Sequence, residues 1–349
     1  MRKKLLIALG IVLAVVLAAC AAIVLPGTTA GPTAAPSAAP SATPTPTPTP
    51  IEYAPLTGYR VKVGSLERPV LMAKIDNNPE ARPQVGLNQA DIVFEELVEG
   101  GLSRYVAIWH STIPTEIGPI RSIRPMDPDI ASPFRGLIAY SGGQQRFVQM
   151  MIATKVRNVI HGQAGTEKFI YRSDEMIAPH NVIVRARKLI SKNSKLRPPT
   201  PAFRFALPAE TPSAVEFGKP AKRLIASFSG QNTPSWKYNA STGKYKRFQA
   251  DGSKDFDYQK VQLVADNVIA QLVDESSEYG YVPRALVVGR GVAWISSRGK
   301  TVKATWVKRN RNAMTVYTLA NGEEVVLARG RTWVELIPTT SGYFATKRR

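Results

Sequence analysis

The sequence predicts an α/β (α+β) domain followed by a mainly β domain, both preceded by an export segment and a linker. Three observations predict this arrangement. Strand-like and helix-like segments alternate up to residue 197, prolines cluster from Pro198 to Pro212, and short strand-like segments separated by turns follow. The predicted boundaries are a signal peptide at 1–19, a lipidated N-terminus and Pro/Thr-rich linker at 20–51, an α/β domain at 52–200 and a mainly β domain at 201–349.

The N-terminus has the pattern of a bacterial export signal. Basic residues at positions 2–4 precede an uninterrupted apolar run that starts at Leu5. Leu17-Ala18-Ala19-Cys20 resembles a lipobox, in which the cysteine is diacylated, and Cys20 is the only cysteine of the chain. The alternative is an uncleaved membrane helix, because the apolar run continues to Leu25 and about 20 apolar residues span a bilayer. Both alternatives predict a chain held on the outer face of the cytoplasmic membrane.

The segment after this run is a linker. Residues 26–50 contain only Pro, Thr, Ala, Ser and Gly. Such a segment has no large apolar side chain to bury, so it cannot offset the entropy of folding. Its proline content favours the extended polyproline II conformation, at about 3.1 Å per residue. We expect a stalk that separates the folded part from the membrane.

Hydrophobic periodicity and turn residues predict the elements of the first domain. Buried strands alternate with helices, as in α/β proteins. The predicted elements are a strand at Val70–Ile75, a turn at Asp76–Pro79, a helix at Leu87–Leu97, strands at Tyr105–Trp109, Ile117–Ile120 and Gly136–Tyr140, and a helix at Gln144–Ile152.

The second domain reads as short strands and tight turns. We expect a hairpin of Trp236–Tyr238 with Tyr245–Phe248, and a second hairpin around Asn321-Gly322, the dipeptide that a type I′ turn prefers. Gly330–Pro338 is the predicted last strand. Alternation within it places Trp333 and Glu335 on one face, which leaves room for an exposed aromatic side chain, although the tryptophans of this half are more typical of a β core.

The charge of the chain predicts an anionic partner. The formal net charge is +20, and an exported chain does not meet nucleic acid. Acidic lipid headgroups or anionic wall polymers are the expected partners, and solubility alone is the alternative explanation of the charge. A single cysteine excludes an intrachain disulfide.

Standard catalytic signatures are absent from the sequence. It contains no phosphate-binding P-loop, no G-x-S-x-G elbow and no H-E-x-x-H zinc helix. The histidines at 110, 161 and 180 show no metal-ligand spacing, so we expect neither a metal nor a cofactor. The sequence therefore leaves open whether the protein is an enzyme.

Charged and polar residues concentrate in the first domain, several of them where a predicted strand ends. The carboxyl ends of strands in α/β sheets commonly hold ligands, and arginine pairs bidentately with phosphate or carboxylate. The arginines could therefore bind an anion, or they could pair with nearby glutamates to fix the fold. The candidate ligand-binding residues are Asp76, Asn77, Arg82, Gln84, Glu95, Glu99, Arg104, Arg121, Ser122, Arg124, Ser141, His180 and Asn181.

Several short motifs in register resemble one family. They are Pro55–Gly58, Ile75–Asn77, Ala81–Gln84, Ala90–Val93, Val98–Gly101, Gly118–Arg124 and Pro179–Asn181. The set resembles the YerB-like lipoproteins of Gram-positive bacteria, which carry an N-terminal and a C-terminal domain of unknown function 3048. The resemblance implies a two-domain lipoprotein and supplies no reaction.

Two hypotheses about function follow. The first is a module that binds an anionic envelope polymer or glycan through its arginines. The second is a cell-wall enzyme, a glycan hydrolase or a phosphotransferase, in which Asp76, Glu95 or Glu99 acts as acid or base. The phosphotransferase version draws on a loose resemblance of Ser122–Asp127 to an arginine-containing stretch of LytR-CpsA-Psr phosphotransferases. Both hypotheses require the charged residues to converge in one cleft.

Overall fold

The structure, a computed structural model, describes residues 51–348. The predicted signal peptide, Cys20 and most of the linker lie outside these residues. Within them, no helix is both long and apolar enough to cross a membrane. The predicted first and second domains belong to one compact unit, Thr49–Arg349.

Residues 52–200 form short strands with three α-helices. The helices are α1 Asp127–Ala131, α2 Gln145–Ile152 and α3 Ala186–Lys192, and 3₁₀ turns occupy Pro79–Ala81, Leu87–Gln89, Glu99–Gly101 and Ser132–Phe134. The strands are β1 Glu52–Tyr53, β2 Arg60–Val61, β3 Leu71–Asp76, β4 Ile92–Leu97, β5 Ser103–Trp109, β6 Leu137–Tyr140, β7 Arg157–Ile160, β8 Ile170–Arg172 and β9 Val182–Val184.

Residues 201–348 are mainly β, with one short helix, α4 Ser213–Phe217. The strands are β10 Arg204–Phe205, β11 Lys219–Pro220, β12 Arg223–Ser227, β13 Ser235–Asn239, β14 Lys244–Phe248, β15 Val264–Ala265, β16 Asn267–Val273, β17 Glu275–Tyr279, β18 Val282–Ala285, β19 Gly289–Ser297, β20 Lys300–Lys308, β21 Val316–Thr318, β22 Val326–Leu327, β23 Thr332–Pro338 and β24 Tyr343–Lys347. The predicted fold class is confirmed.

One eleven-stranded sheet runs through both halves of the sequence. Its order is β11-β20-β19-β16-β23-β4-β5-β3-β6-β7, and β21 pairs with β20 beside this path. The junction is β23, which pairs in parallel with β16 on one side and with β4 on the other. Residues from the end of the chain therefore complete the sheet that residues 71–160 begin.

A five-stranded sheet, β15-β14-β13-β12-β24, covers one face of the central sheet. Trp236 and Tyr245 of the smaller sheet share a buried cluster with Tyr105 and Trp333 of the central one. The Trp333 ring lies 5.1 Å from that of Trp236 and 5.3 Å from that of Tyr105, edge to face in both pairs. Trp333 is therefore core, and the exposed aromatic that the alternation allowed does not occur there.

The helix predicted at Leu87–Leu97 is wrong. The chain makes a 3₁₀ turn after Gly86, whose φ of 73° suits glycine, and then continues as strand β4. Ile92, Val93, Glu95 and Glu96 are all buried, because the central sheet is covered on both faces. A strand buried on both faces lacks the two-residue alternation that identifies strands in sequence.

Three other predictions for strands need correction, whereas four single elements and one hairpin are confirmed. Ile117–Ile120 forms only isolated bridges, since Pro119 has no N–H to donate to a ladder. The strands around Asn321-Gly322 meet at a single bridge, because β21 pairs with β20 and β22 pairs with β10. The last strand is β24, not Gly330–Pro338. The strands β3, β5 and β6 and helix α2 lie where they were predicted, as does the β13–β14 hairpin.

A fully buried arginine joins the two sheets. Arg247 of β14 donates to the Glu95 carboxylate of β4 at 2.6 Å and to the Asp255 carboxylate. Glu335 of β23 lies directly opposite Glu95 and accepts a hydrogen bond from Trp236 at 2.7 Å. Burial, and then the Glu95 charge, raise the pKa of Glu335, which favours its protonated form. The cluster thus pairs one guanidinium with two carboxylates, those of Glu95 and Asp255.

A second buried ion cluster lies on the opposite face of the central sheet. The Lys74 ammonium of β3 contacts the carboxylates of Glu96 and, at 2.8 Å, of Asp127. Burial lowers the pKa of Lys74 to about 8. Because Glu95 and Glu96 are consecutive in a strand, they point to opposite faces, and each anchors one of the two clusters.

Candidate functional site

The candidate site begins at Asp76, the last residue of β3. Its carboxylate accepts from His180 Nδ1 at 2.7 Å and from the backbone N–H of Asn78 at 3.1 Å. Arg121 Nε lies 3.2 Å from the same oxygen that His180 contacts. Because β3 ends at Asp76, its side chain can contact residues from other segments, here His180 and Arg121.

His180 reaches Asp76 from the loop that precedes β9. With Nδ1 donating to Asp76, Nε2 remains as the second functional atom of the ring, 3.4 Å from a carboxylate oxygen of Glu80. Glu80 is largely exposed, whereas the His180 side chain is buried. A carboxylate that fixes one ring nitrogen sets the tautomer and orientation of the imidazole.

Three arginines complete a cavity of about 180 Å³. Arg124 donates from Nε to Glu99 at 2.8 Å and from Nη1 to the Ile123 carbonyl at 2.9 Å. Arg104 donates to the carbonyl oxygen of Ser122 at 3.1 Å. Burial, and then the nearby Arg124, lower the pKa of Arg104 to about 10. The cavity is lined by Asp76, Asn78, Val98, Glu99, Leu102, Ser103, Arg104, Arg121, Arg124, His180 and Tyr281.

The lining of the cavity holds more guanidinium groups than carboxylates. Three guanidinium groups line it with the carboxylates of Asp76 and Glu99, and the exposed Glu80 carboxylate, which contacts His180 from outside the lining, makes the whole site neutral when His180 is neutral. Arg121 is the arginine best able to contact a ligand, because its side chain is 26% exposed. Within residues 51–348, no side chain or carbonyl accepts a hydrogen bond from its terminal nitrogens. A phosphate or carboxylate group matches these donors.

Six predicted site residues converge in this cavity: Asp76, Glu99, Arg104, Arg121, Arg124 and His180. The remainder lie around it or behind it. Ser122 provides a carbonyl oxygen to Arg104, and its hydroxyl donates to the Ser141 carbonyl at 3.3 Å. Asn181 instead accepts a hydrogen bond from Arg172 at 2.7 Å and donates one to the Ser173 carbonyl at 3.0 Å.

Arg82 and Glu95 do not reach the cavity. Arg82 donates to the side-chain oxygen of Asn77 at 2.9 Å, and Gln84 donates to the same oxygen at 3.2 Å. Asn77 in turn donates to the Ser103 hydroxyl at 2.8 Å, which donates to Glu95 at 2.5 Å. These residues form a support behind Asp76 that leads to the buried Arg247 cluster.

Sequence reasoning missed four residues of the site: Asn78, Glu80, Ser103 and Tyr281. The predicted turn at Asp76–Pro79 includes Asn78, and Glu80 follows it directly, so both lie beside a predicted site residue in the sequence. Tyr281, which is 80% exposed, comes from the turn between β17 and β18. No signal in the sequence connects that turn with Asp76, about 200 residues earlier. Among the described residues, no cluster of three or more His, Cys, Asp or Glu side chains suits a metal ion.

Comparisons with known proteins agree with this architecture. The family model described as the N-terminal domain of a protein of unknown function, DUF3048, matches residues 56–198, and the model of its C-terminal domain matches residues 224–334. A Bacillus subtilis (strain 168) protein named "Putative lipoprotein YerB" is 25% identical over 296 residues, which is 82% of this chain and 86% of that protein. The crystal structure of the Bacillus subtilis YerB protein has a TM-score of 0.72 at 21% identity, and the match covers 84% of this chain and 100% of that one.

Proposed function

The chain belongs to the DUF3048 family, and we propose that this member is a membrane-anchored, extracytoplasmic lipoprotein that binds an anionic group of a cell-envelope polymer in its arginine-lined cavity. The observation that carries the proposal is the convergence of Arg104, Arg121 and Arg124 around one small cavity, whose lining holds three guanidinium groups and only two carboxylates. Arginine is the side chain best suited to phosphate and carboxylate groups, because its planar fork forms two parallel hydrogen bonds to either.

Support for the anchor comes from the sequence and from a relative. Cys20 stands at the end of a lipobox-like tetrapeptide, and the Bacillus subtilis relative is named as a lipoprotein. One acyl chain binds membranes only reversibly, whereas the diacyl modification of a lipobox cysteine supplies the two chains that stable anchoring requires. The linker then holds the cavity away from the bilayer, among the polymers of the envelope.

We predict that Cys20→Ser abolishes labelling of the protein by a radioactive fatty acid in growing cells. The thiol is the acceptor of the lipid, and serine cannot replace it in the modification. Cys20→Ser should also leave an uncleaved signal peptide, visible as a larger mass. Labelling that persists in Cys20→Ser, or an unlabelled wild type that retains its N-terminal methionine, would contradict lipidation and favour the uncleaved helix.

The cavity proposal predicts that Arg121→Gln weakens the binding of inorganic phosphate about tenfold or more, since a hydrogen bond to a charged group contributes about 1.5–3 kcal/mol. Binding is measured by isothermal titration calorimetry on the full chain in detergent. Arg197→Gln is the matched control, because Arg197 is exposed and has no ion pair among the described residues. Equal affinity of wild type and Arg121→Gln, or no phosphate binding by the wild type, would exclude this cavity as the site.

A second candidate function is acid–base catalysis, favoured by the 2.7 Å contact between His180 and Asp76 inside the same cavity. In hydrolysis of a phosphodiester, water would attack phosphorus and the P–O bond to the leaving group would break, while protonated His180 Nε2 gave its proton to the departing alkoxide. The proton lost by the added water would then return to Nε2 and restore the imidazolium. Asp76 would stabilise the imidazolium, and the arginines would stabilise the charge on phosphate. The products are a phosphate monoester and an alcohol. The glycan-hydrolase version is less well supported, because Asp76 and Glu99 are both committed to ion pairs and Glu95 is buried elsewhere.

This second function predicts that His180→Gln slows release of phosphomonoester ends from a purified phosphodiester-linked wall polymer by about 100-fold or more. Mass spectrometry of the incubated polymer measures the products, and Arg197→Gln again serves as the control. Absence of product with the wild-type protein, or equal rates for wild type and His180→Gln, would eliminate the catalytic candidate and leave the binding proposal intact.

A further inference from the structure

The solvent face of the five-stranded sheet carries a row of positive charges. Strands β12, β13, β14, β15 and β24 contain no aspartate or glutamate. Alternate residues point inward, among them Leu224, Trp236 and Arg247, which are fully buried. Their neighbours in the sequence therefore point outward. These outward positions include Arg223, Lys237, Lys246 and Lys347, which we term the cationic row.

Strand register aligns the four members of the row. Arg223 lies opposite Lys347 on one side and opposite Lys237 on the other, and Lys237 lies opposite Lys246. Adjacent strands are about 4.8 Å apart, so the four backbone positions span about 14 Å in a line that crosses the strands. Like charges directly opposite each other destabilise a sheet, and here three successive pairs are alike.

The described part of the chain does not neutralise these charges. None of the four side chains has an ion pair or a side-chain hydrogen bond among residues 51–348, and only Lys246 is partly buried. Lys244, one row further along β14, provides a contrast, because it pairs with Asp266 at 2.8 Å. A lysine of this sheet can therefore form an ion pair with a nearby carboxylate, but the four members of the cationic row do not.

A groove of about 430 Å³ lies beside two members of the row, Arg223 and Lys237. It is lined by Lys222, Arg223, Ser235, Lys237, Tyr238, Phe248 and Gly252, of which three are cationic and none is anionic. The groove is separate from the arginine-lined cavity, since the two share no lining residue. Its cationic lining, together with the line of charges beside it, fits an extended anionic chain better than a single small ion.

We propose that the cationic row is a second binding site, which holds a linear phosphate-bearing polymer lying across strands β24, β12, β13 and β14. The phosphates of the polymer would pair with the four cationic side chains, which have no anionic partner among the described residues. The four charges lie in one line, and two of them, Arg223 and Lys237, also line the groove, which suits a linear chain more closely than a flat lipid bilayer. Lysine ammonium groups act as point charges, so we expect the site to select a polymer by its density of negative charge and not by the identity of its sugars.

The test compares two charge reversals of equal size in the full chain, held in detergent. The row variant is Arg223→Glu with Lys237→Glu, and the control is Arg197→Glu with Lys195→Glu, whose side chains are also exposed and unpaired among the described residues. The probe is end-labelled long-chain inorganic polyphosphate, with affinity measured by fluorescence anisotropy. Vesicles containing phosphatidylglycerol are tested in parallel.

We expect the row variant to bind polyphosphate about tenfold more weakly or worse, and the control to change by less than about twofold. Binding by the wild type should weaken steeply with added salt, because exposed charges are screened. Circular dichroism verifies the fold. If the charge reversal unfolds the protein, Arg223→Gln with Lys237→Gln replaces it and should give a smaller loss.

Three outcomes would overturn the proposal. Equal losses in the row variant and the control would mean that net charge alone attracts the polymer. Loss of vesicle binding with polyphosphate binding unchanged would assign the row to the membrane surface. Loss of polyphosphate binding in Arg121→Gln but not in the row variant would place the polymer in the arginine-lined cavity, so the row proposal would fail while the cavity proposal survived.

Discussion

The buried contact of Arg247 with Glu95 is the interaction on which the rest of the structure depends. Arg247 comes from the small sheet and Glu95 from the central one, so their ion pair fixes how the two sheets face each other. The rings of Tyr105, Trp236 and Trp333 surround the guanidinium, the nearest centroid at 5.1 Å. A buried charge needs partners in the core, and Asp255 supplies the second carboxylate, while Arg247 Nε has no hydrogen-bond partner among the described residues.

The same interaction bears on the candidate site. Glu95 accepts a hydrogen bond from Ser103, which accepts one from Asn77, the neighbour of Asp76. A continuous set of polar contacts therefore runs from the junction of the two sheets to the residue that holds His180. The C-terminal half of the chain also contributes Tyr281 to the cavity wall. Strand β23 and the small sheet thus support a site whose charged residues belong to the N-terminal half.

The sequence predicted correctly those strands and turns that have simple local patterns of apolar and turn residues. Strands β3, β5 and β6 carry apolar runs, interrupted in β3 only by Lys74 before its final Asp76, and the β13–β14 hairpin carries its turn residues in sequence. Patterns failed at β4, where Glu95 and Glu96 sit in the core on opposite faces, because burial of charge depends on partners far away in the chain. The convergence of six charged site residues could be suggested from strand ends, but the contact of His180 with Asp76 spans 104 positions and required the fold. The separation of the two halves at Pro198–Pro212 gave no hint that β23 returns to pair with β4.

The central claim is that Arg247 joins the halves of the molecule, and urea unfolding of Arg247→Ala tests it most directly. Removing one partner of a buried ion pair leaves the other uncompensated, so we expect a loss of about 3–5 kcal/mol in the free energy of unfolding. Arg223→Ala, an exposed arginine of the same small sheet, should change it by no more than about 0.5 kcal/mol. Equal stability of Arg247→Ala and Arg223→Ala would contradict the claim that the buried guanidinium holds the two sheets together.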